Sequence, residues 1–292
     1  MTPRYVSFVC SKQFLAFLLL TATATAQTQL STVAINDLIR QSVANELAAA
    51  NSGGHYMYRL RKQTPRGSQT QDMVETRDWL IGRLTLKDGR PLPSSQRQQE
   101  DKRLRRLLTD QARLEQFQKE QHHDEARVHR IMRALPDAFL YEYEGTNDSG
   151  GGELVRLTFR PNPAFQPPSR ELRVLQGMEG TMLIDGKAKR LARVEAKLVR
   201  DVDFGWGILG RLHRGGSFLL EQQDVGSGRW AIATLALRFS GKLLLLKSIN
   251  IDSVTKASDF RRMPDDLTLE QGLDLLLKQD QMNSVQTNGK PR

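Results

Sequence analysis

The stretch that decides the fold is residues 229–239, RWAIATLALRF, together with its neighbour at 217–225, SFLLEQQDV. In the first segment every second residue is apolar, from Ala231 through Leu235 to Phe239, and the residues between them are mixed. A period of two in apolar residues predicts a β-strand. Further strand patterns adjoin these two over short connections, at residues 180–185, 188–200 and 242–254. This order predicts an antiparallel meander.

The flanking sequence adds strands and helices without alternating between them. Strand patterns lie at residues 56–62, 73–83 with its continuation 84–86, 138–144, 154–160 and 258–261. Helical patterns lie at residues 31–50, 96–134 and 265–278, with a short helical link at 169–178, a polar turn at 63–71 and a polar tail at 279–292. Because no β-α-β alternation occurs, the order argues against a parallel sheet. We predict an α+β fold, mostly antiparallel, in which helices partly cover the concave side of a curved sheet.

The region 96–134 is predicted to be an extra long charged helix, or two shorter ones, with a thin apolar stripe. It holds the densest basic run of the chain, KRLRR at 102–106, within a formal net charge of +10. Acidic residues such as Asp101 and Asp110 interrupt the basic surface, and no aromatic side chains accompany it. A nucleic-acid site needs a continuous positive face, so we predict no nucleic-acid partner.

Residues 1–26 have the pattern of a signal peptide. Arg4 and Lys12 flank the start of an apolar run, FLAFLLL at 14–20, and small residues lead to a cleavage site after Ala26. The run is too short to span a bilayer. Cys10, the one cysteine of the chain, would leave with it, so the mature protein would hold no disulfide and no thiolate metal site. We expect a periplasmic or secreted protein.

No motif predicts catalysis, a cofactor or a metal. Residues 205–210, GWGILG, match a dinucleotide-binding pattern, but they join two predicted strands instead of a strand and a helix. On a helix, His122 and His129 would lie about 10 Å apart along the axis, too far for one metal ion. Asp185 and Glu195 are best interpreted as a turn residue and a cross-strand ion-pair partner. We predict a non-enzymatic protein with no catalytic residues, no cofactor and no metal.

Several segments resemble exported bacterial proteins of the outer-membrane lipoprotein-sorting (LolA/LolB-like) superfamily. They are VLQGMEGTMLID at 174–185, RLARVE at 190–195, FGWGILGRLHRGGSF at 204–218, DFR at 259–261, and DGRPL at 88–92 with the charged helix that follows. The resemblance covers most of residues 30–262. It implies a half-open antiparallel barrel with helices as a lid, which holds acyl chains or lipoproteins in a concave cavity. The long helix at 96–134 departs from the compact carrier pattern.

The domain organisation that this resemblance implies has three parts. Residues 1–26 are the signal peptide, and residues 27–264 are a single LolA-like half-barrel domain with a helical insertion at 94–136. Residues 265–292 are a short amphipathic helix and a polar tail.

The apolar strands and the loop 204–216 predict where a ligand would bind. The loop has an apolar tip with a basic rim, which could lie against lipid, close the mouth of a cavity or simply pack. The predicted cavity and mouth residues are Trp79, Phe204, Trp206, Ile208, Leu209, Leu212, Phe218, Trp230 and Leu235. The predicted partners are acyl chains of a lipid or lipoprotein, with a membrane surface or an envelope protein as further partners. The alternative hypothesis is a periplasmic interaction or sensor module that docks a protein partner through the charged helix 96–134.

Overall fold

The computed structural model describes residues 31–49, 54–148, 152–204, 210–243 and 247–288, and it gives the backbone alone at Arg113, Asp148, Phe204, Leu243, Lys247 and 279–288. The predicted signal peptide and the loop residues 205–209 lie outside the described residues. The helices are α1 (Thr32–Ala49), α2 (Ser94–Thr109), α3 (Gln111–Ala138) and α4 (Leu269–Asn288), with a 3₁₀ helix at Glu171–Gly177. The strands are β1 (His55–Thr64), β2 (Gly67–Glu75), β3 (Leu80–Lys87), β4 (Arg90–Pro91), β5 (Phe139–Asp148), β6 (Glu153–Pro161), β7 (Met178–Asp185), β8 (Arg190–Leu198), β9 (Val202–Phe204), β10 (Gly210–Leu212), β11 (Ser217–Asp224), β12 (Trp230–Leu243) and β13 (Lys247–Met263).

The strands form one antiparallel sheet that is not closed into a barrel. Its order is β4-β3-β2-β1-β13-β12-β11-β8-β7-β6-β5, and β9 and β10 form a side hairpin in which β10 pairs with β12. The two ends of the path, β4 and β5, do not pair with each other. The predicted α+β fold with a mostly antiparallel, open sheet is confirmed.

The first hydrophobic core lies where α1 and the end of α3 cover β5 to β8. In α1 the buried residues Ile35, Leu38, Ile39 and Val43 follow helical spacing, so one stripe of the helix faces the sheet. The Ser31 hydroxyl accepts a hydrogen bond from Ala34 N at 3.2 Å and caps the start of this helix. The sheet residues of the core include the fully buried Leu157, Met182 and Ile184. We call this side of the sheet the α1 face.

The second core lies on the opposite side of the same sheet. Its strand residues are Met57, Val74 and Ile81, and α2 and α4 cover them with leucines that are almost fully buried, namely Leu104, Leu107, Leu273 and Leu276. Side chains of residues paired directly across an antiparallel ladder point to the same side. Following the register from strand to strand puts these three residues on the side away from Leu157 and Met182. We call it the α2 face.

Several predicted elements have different boundaries in the structure. Residues 67–71, which were predicted as a turn, form the start of β2. The polar sequence did not indicate a strand, because Thr70 and Asp72 are polar residues that are nevertheless buried on the α2 face. The predicted strand 73–83 is broken by a turn in which Thr76 N donates to Trp79 O at 2.7 Å. The predicted final strand 258–261 is part of β13, which bulges at Asp259 with φ of 59°.

The region 96–134, predicted as one long helix or two shorter ones, forms two helices that meet at Asp110. The first of them, α2, packs against the sheet. Arg83 on β3 is buried and donates two hydrogen bonds to Asp101 Oδ1 of α2, at 2.8 and 3.2 Å. Together with the buried Leu104 and Leu107, this ion pair fixes α2 to β3. The exposed part of the helical insertion is therefore α3.

Side chains of α2 and α3 also cover the free edge of β3. Leu84 N donates to Glu100 Oε1 at 2.9 Å, and Arg103 Nη2 donates to Gly82 O at 2.6 Å. Gln121 Nε2 of α3 donates to Leu80 O at 2.9 Å. An uncovered strand edge would leave such groups free to pair with another chain. These contacts therefore take the place of a neighbouring strand.

A buried carboxylate anchors α1 to the sheet. Glu46 of α1 accepts two hydrogen bonds from Arg190, each at 2.8 Å, and one from Leu191 N at 3.0 Å. Gln222 of β11 donates a further one at 3.1 Å. The Arg190 and Glu46 side chains are 9% and 11% exposed, so the pair is shielded from water. Glu46 thereby joins α1 to both β8 and β11.

We predict that Glu46→Ala lowers the free energy of unfolding by about 3 kcal/mol, because it leaves the Arg190 guanidinium buried without its partner. Urea unfolding of the purified chain measures this. The matched control is Arg40→Ala on the same helix, whose ion pair with Asp137 is 60% and 63% exposed. The control should lower the free energy by less than about 1 kcal/mol. Equal losses in the two variants would contradict the anchoring role of Glu46.

The second prediction concerns the stability of the fold at low pH. Burial alone would raise the pKa of Glu100, but the hydrogen bonds from Arg103 and Leu84 N outweigh it and hold the pKa below the ordinary glutamate value of 4.5. The unfolded chain therefore takes up this proton first as the pH falls. The stability that Glu100 supplies is complete above about pH 4.5 and is lost as the pH falls through the folded pKa.

Urea unfolding at a series of pH values should thus show that Glu100→Gln is less stable than the wild type near neutral pH. The variant should also lose less stability on acidification. Glu115→Gln, an exposed change on α3, should follow the wild type. Parallel pH profiles for wild type and Glu100→Gln would show that this carboxylate does not contribute.

Candidate functional site

One row of directly paired residues crosses the α1 face from β5 to β4. Each neighbour in the row is the printed cross-strand partner of the next, so all side chains point to the same side. In order the row is Tyr143, Leu157, Met182, Val194, Leu220, Leu235, Thr255, Lys62, Gln69, Lys87 and Arg90. Its members are therefore apolar or aromatic over β5 to β12, Thr255 follows on β13, and the members on β1 to β4 are basic except for Gln69. We call it the cross-sheet row.

Burial changes along the same row. Leu157 and Met182 lie in the first core and are almost fully buried, whereas Leu220 and Leu235 are half-buried and Lys62 is exposed. Across the described residues of β11, β12 and β13, Gly241 is the one buried residue. Large apolar side chains stay in contact with solvent here, including Ile232 at 46% and Ile251 at 41% exposure. The described helices therefore cover the two ends of the sheet but not its middle.

The half-exposed apolar residues on the α1 face of these strands form a continuous surface. Its members are Phe218, Leu220, Leu235, Leu237, Phe239 and Ile251, which pair across β11, β12 and β13. Phe218 and Phe239 pack against the first core, so this surface extends that core outward. We call these six residues the open strip. Contiguous exposed apolar surface of this kind commonly marks a binding site.

A polar cluster closes the α1 face at one end of β1. Arg229 donates to both carboxylate oxygens of Glu75, at 3.1 Å each, and its guanidinium carbon lies 5.6 Å from the centre of the Tyr56 ring. Burial raises the pKa of Glu75 above its ordinary value, although Arg229 opposes this. Burial likewise raises the pKa of Tyr58, whose ring stacks on Phe260 with centroids 5.2 Å apart. Tyr58 is therefore neutral at physiological pH and belongs to the apolar surface.

The structure brings together three of the predicted site residues on the α1 face. Phe218 and Leu235 belong to the open strip, and Trp230 stands at the start of β12 opposite Asp224. Leu212 is half-buried and packs against the first core. For Phe204 the structure gives the backbone alone, and Trp206, Ile208 and Leu209 lie outside the described residues.

Trp79 does not join this group. It follows the turn after β2, packs against the second core and stacks on Phe117 of α3, with ring centroids 6.2 Å apart. The strand predicted for residues 73–83 would have kept Trp79 in the sheet, but the turn at Thr76 takes it towards the helices on the other side. Trp79 is therefore a core residue between α3 and the sheet.

Sequence reasoning missed the basic half of the cross-sheet row. Lys62, Lys87 and Arg90 are separated in sequence and lie among polar residues, so no motif marks them. A two-residue turn links the last two: Asp88 and Gly89 have φ of 52° and 74°, as a tight hairpin turn requires. This turn places Arg90 directly opposite Lys87. Only the pairing register of the strands, which sequence periodicity does not give, places these three residues in one row.

Neither of two surface recesses among the described residues is lined by a predicted site residue. A shallow one of about 400 Å³ lies on α3 beside Lys119 and His123, and a narrow one of about 20 Å³ lies between Tyr58 and Asp72. No three His, Asp or Glu side chains of the described part of the chain converge as metal ligands would. Within the same ranges, no helix has the length and apolar character needed to cross a bilayer.

Two solved structures are similar to this chain. One is described as an outer membrane lipoprotein-sorting protein domain from Vibrio parahaemolyticus, with 11% identity and a TM-score of 0.29 over 82% of this chain and 99% of that chain. The other is a DUF1329 family protein from Desulfovibrio piger, with 10% identity and a TM-score of 0.27 over 79% of this chain and 92% of that chain. No family model and no curated protein matches.

The open antiparallel sheet with helices agrees with the fold that the sequence resemblance implies. At TM-scores below 0.3 neither solved structure carries an argument about this chain, so the function must be argued from the chain's own surface.

The third prediction tests whether the strip is open. Leu157 and Leu235 belong to the same cross-sheet row, but Leu157 is fully buried and Leu235 is half-buried. Leu157→Ala should lower the free energy of unfolding by about 3 kcal/mol, and Leu235→Ala by less than about 1.5 kcal/mol, because less apolar surface leaves a packed environment. Urea unfolding compares them. A loss at Leu235 as large as that at Leu157 would mean that the strip is covered.

Proposed function

We propose that this protein is a non-enzymatic component of the cell envelope that binds an acyl chain of a lipid or lipoprotein along the open strip. One observation carries the proposal: the middle of the sheet presents a continuous apolar surface in which no side chain of the described β11, β12 and β13 is buried. Helices cover β5 to β8 on the same face and β1 to β3 on the opposite face, but no described helix covers the strip.

The driving force would be the removal of apolar surface from water, worth about 25 cal/mol per Å². The strip is made chiefly of Leu, Ile and Phe side chains on three adjacent strands, with Leu220 and Leu235 at its centre. An acyl chain laid on these residues would extend the first core across β11 to β13. A flexible aliphatic chain fits an open surface of this kind because it needs no enclosed pocket and no convergent polar groups.

The envelope location rests on the sequence. The pattern of Arg4, Lys12 and the apolar run 14–20 predicts export, and these residues lie outside the described ranges. An exported acyl-binding protein would meet its ligand at a membrane or on a lipoprotein. A membrane surface or an envelope protein as a second partner remains part of the same proposal.

The alternative function is docking of a protein partner through the charged helices, and we propose α3 as its docking segment. α2 is built into the second core through Leu104 and Leu107, so deleting it would disturb the fold. Residues of α3 from Gln111 to Arg130 are half-buried or exposed wherever their side chains are described, and Val128 is 56% exposed. This exposed helix surface favours α3 as the docking segment if the protein is an interaction module.

The fourth prediction tests acyl binding. The double variant Leu220→Gln, Leu235→Gln should weaken binding of a neutral probe, pyrene-labelled decanol, by at least about tenfold, because two polar amides would have to be covered by the chain. Fluorescence titration of the mature chain measures the Kd. Extraction and mass spectrometry of protein purified from its native envelope should also reveal a bound acyl lipid.

The matched control is Leu219→Gln, one residue away on β11 but on the α2 face opposite Glu195 and Ala236. It should change the Kd by less than about twofold. If the wild type does not bind the probe, or if the double variant binds as tightly as the wild type, acyl binding on the strip is wrong and docking through α3 becomes the better account.

A further inference from the structure

We propose that the basic half of the cross-sheet row, Lys62, Lys87 and Arg90, holds the anionic headgroup of the amphiphile whose acyl chain lies on the open strip. This inference rests on the proposed function and names the class of ligand: an acyl chain that ends in a carboxylate or a phosphate. Two observations support it: the order of the residues along the cross-sheet row, and the exposure of the three basic side chains.

The position of the basic residues follows from the register. Leu235 pairs with Thr255, Thr255 pairs with Lys62, Lys62 pairs with Gln69, and Gln69 pairs with Lys87. Neighbouring strands lie about 4.8 Å apart, so Lys62 stands about 10 Å from Leu235, and Lys87 about 10 Å further on. Apolar and cationic groups are thus arranged in sequence on one face, as the two ends of an amphiphile require.

The three cations are available to a ligand. Lys62, Lys87 and Arg90 are all exposed, and none makes an ion pair with a described residue. Thr255, which precedes Lys62 in the row, and Gln69, which lies between Lys62 and Lys87, are uncharged, so no carboxylate in the row neutralises the cations. The acidic neighbour in the turn, Asp88, accepts a hydrogen bond from Ser68 N at 2.7 Å.

Several arginines elsewhere on the sheet are already engaged in ion pairs. On the α2 face, Arg193 pairs with Glu221, and Arg238 lies 3.7 Å from Asp252. On the α1 face, Arg190 is held by Glu46 and Arg229 by Glu75. The basic half of the row therefore differs from these sites in presenting several cations side by side with no acid opposite, which gives a surface complementary to an anion.

The flexible Lys and Arg side chains suit a small anionic group. Lysines spaced about 10 Å apart on alternate strands can lean towards the strand between them, where Gln69 offers an amide as a hydrogen-bond donor. The Arg90 guanidinium can bind a carboxylate or phosphate through two parallel hydrogen bonds. These interactions are solvent-exposed, so they add selectivity for an anion more than they add affinity.

The test compares two probes with the same tail, pyrene-labelled decanoate and pyrene-labelled decanol, by fluorescence titration of the mature chain. At an ionic strength of about 0.01 M the wild type should prefer the decanoate by about tenfold, and at about 1 M most of this preference should vanish because salt screens exposed charges. The triple variant Lys62→Gln, Lys87→Gln, Arg90→Gln should lose the preference and keep its affinity for the decanol.

The control variant Lys197→Gln, Lys242→Gln, Lys256→Gln removes the same charge from exposed residues on the α2 face. It should keep the preference for the decanoate. Inorganic phosphate should displace neither probe, because the headgroup site depends on the attached acyl chain. Displacement of the decanoate by phosphate alone would make the row a site for free anions and would overturn the inference.

The remaining outcomes separate this inference from the proposed function. Equal affinity of the wild type for both probes would overturn the headgroup site and leave acyl binding in place. The same loss of preference in the triple and the control variants would also overturn it, since net charge alone would then explain the effect. Failure of the wild type to bind either probe would overturn the proposed function itself.

Discussion

Side-chain alternation along one unbroken hydrogen-bonded ladder decides where this protein can bury apolar residues. Direct pairs link each strand to the next from β5 to β4, and β-bulges shift the register within several of these pairs, so a residue's side of the sheet is set by its position in the ladder. One core forms on the α1 face over β5 to β8, and the other forms on the α2 face over β1 to β3. Between these two cores, the residues of the open strip on β11 to β13 point to the α1 face, whereas the nearby helices α2 and α4 lie on the α2 face. The open strip is a direct consequence of this change of side.

Polar interactions fix the helices on their respective faces. The Glu46–Arg190 pair and the hydrogen bond from Gln222 hold α1 against β8 and β11, and the Arg83–Asp101 pair holds α2 against β3. Buried ion pairs add little net stability compared with apolar packing, but breaking one is costly. Their effect here is to determine which surface of each helix meets the sheet.

The strands that could be predicted from the sequence are those that contain clustered apolar residues between turn residues. Residues 180–185 and 217–225 contain short apolar runs of this kind, and β7 and β11 cover nearly the same ranges. The start of β2 was missed because its buried residues, Thr70 and Asp72, are polar. Their burial is compensated by contacts across the sheet, such as Arg59 Nε donating to Asp72 at 3.2 Å, and a local pattern does not contain them.

The candidate site was predictable in part for a related reason. Phe218 and Leu235 are apolar residues of predicted strands, and the structure keeps them in the sheet. Trp79 also lies in a predicted strand, but the turn at Thr76 places it against α3. Lys62 and Arg90 could not be connected with Leu235 from the sequence, because the order of the strands differs from their order along the chain. Non-local pairing, and not residue type, brings the apolar and basic halves of the row together.

The central claim is that the α1 face of β12 is an open binding surface, and cysteine reactivity along β12 tests it most directly. The chain's one cysteine, Cys10, lies in the predicted signal peptide, so single cysteines can be placed in the mature chain at Leu235 and Leu237 on the α1 face and at Ala236 and Arg238 on the α2 face. All four should react with a small neutral maleimide in the ligand-free protein. Saturating oleate should slow the reaction severalfold at Leu235→Cys and Leu237→Cys and leave Ala236→Cys and Arg238→Cys unchanged. Slow reaction at the first two positions without ligand, or equal protection of all four, would contradict the account.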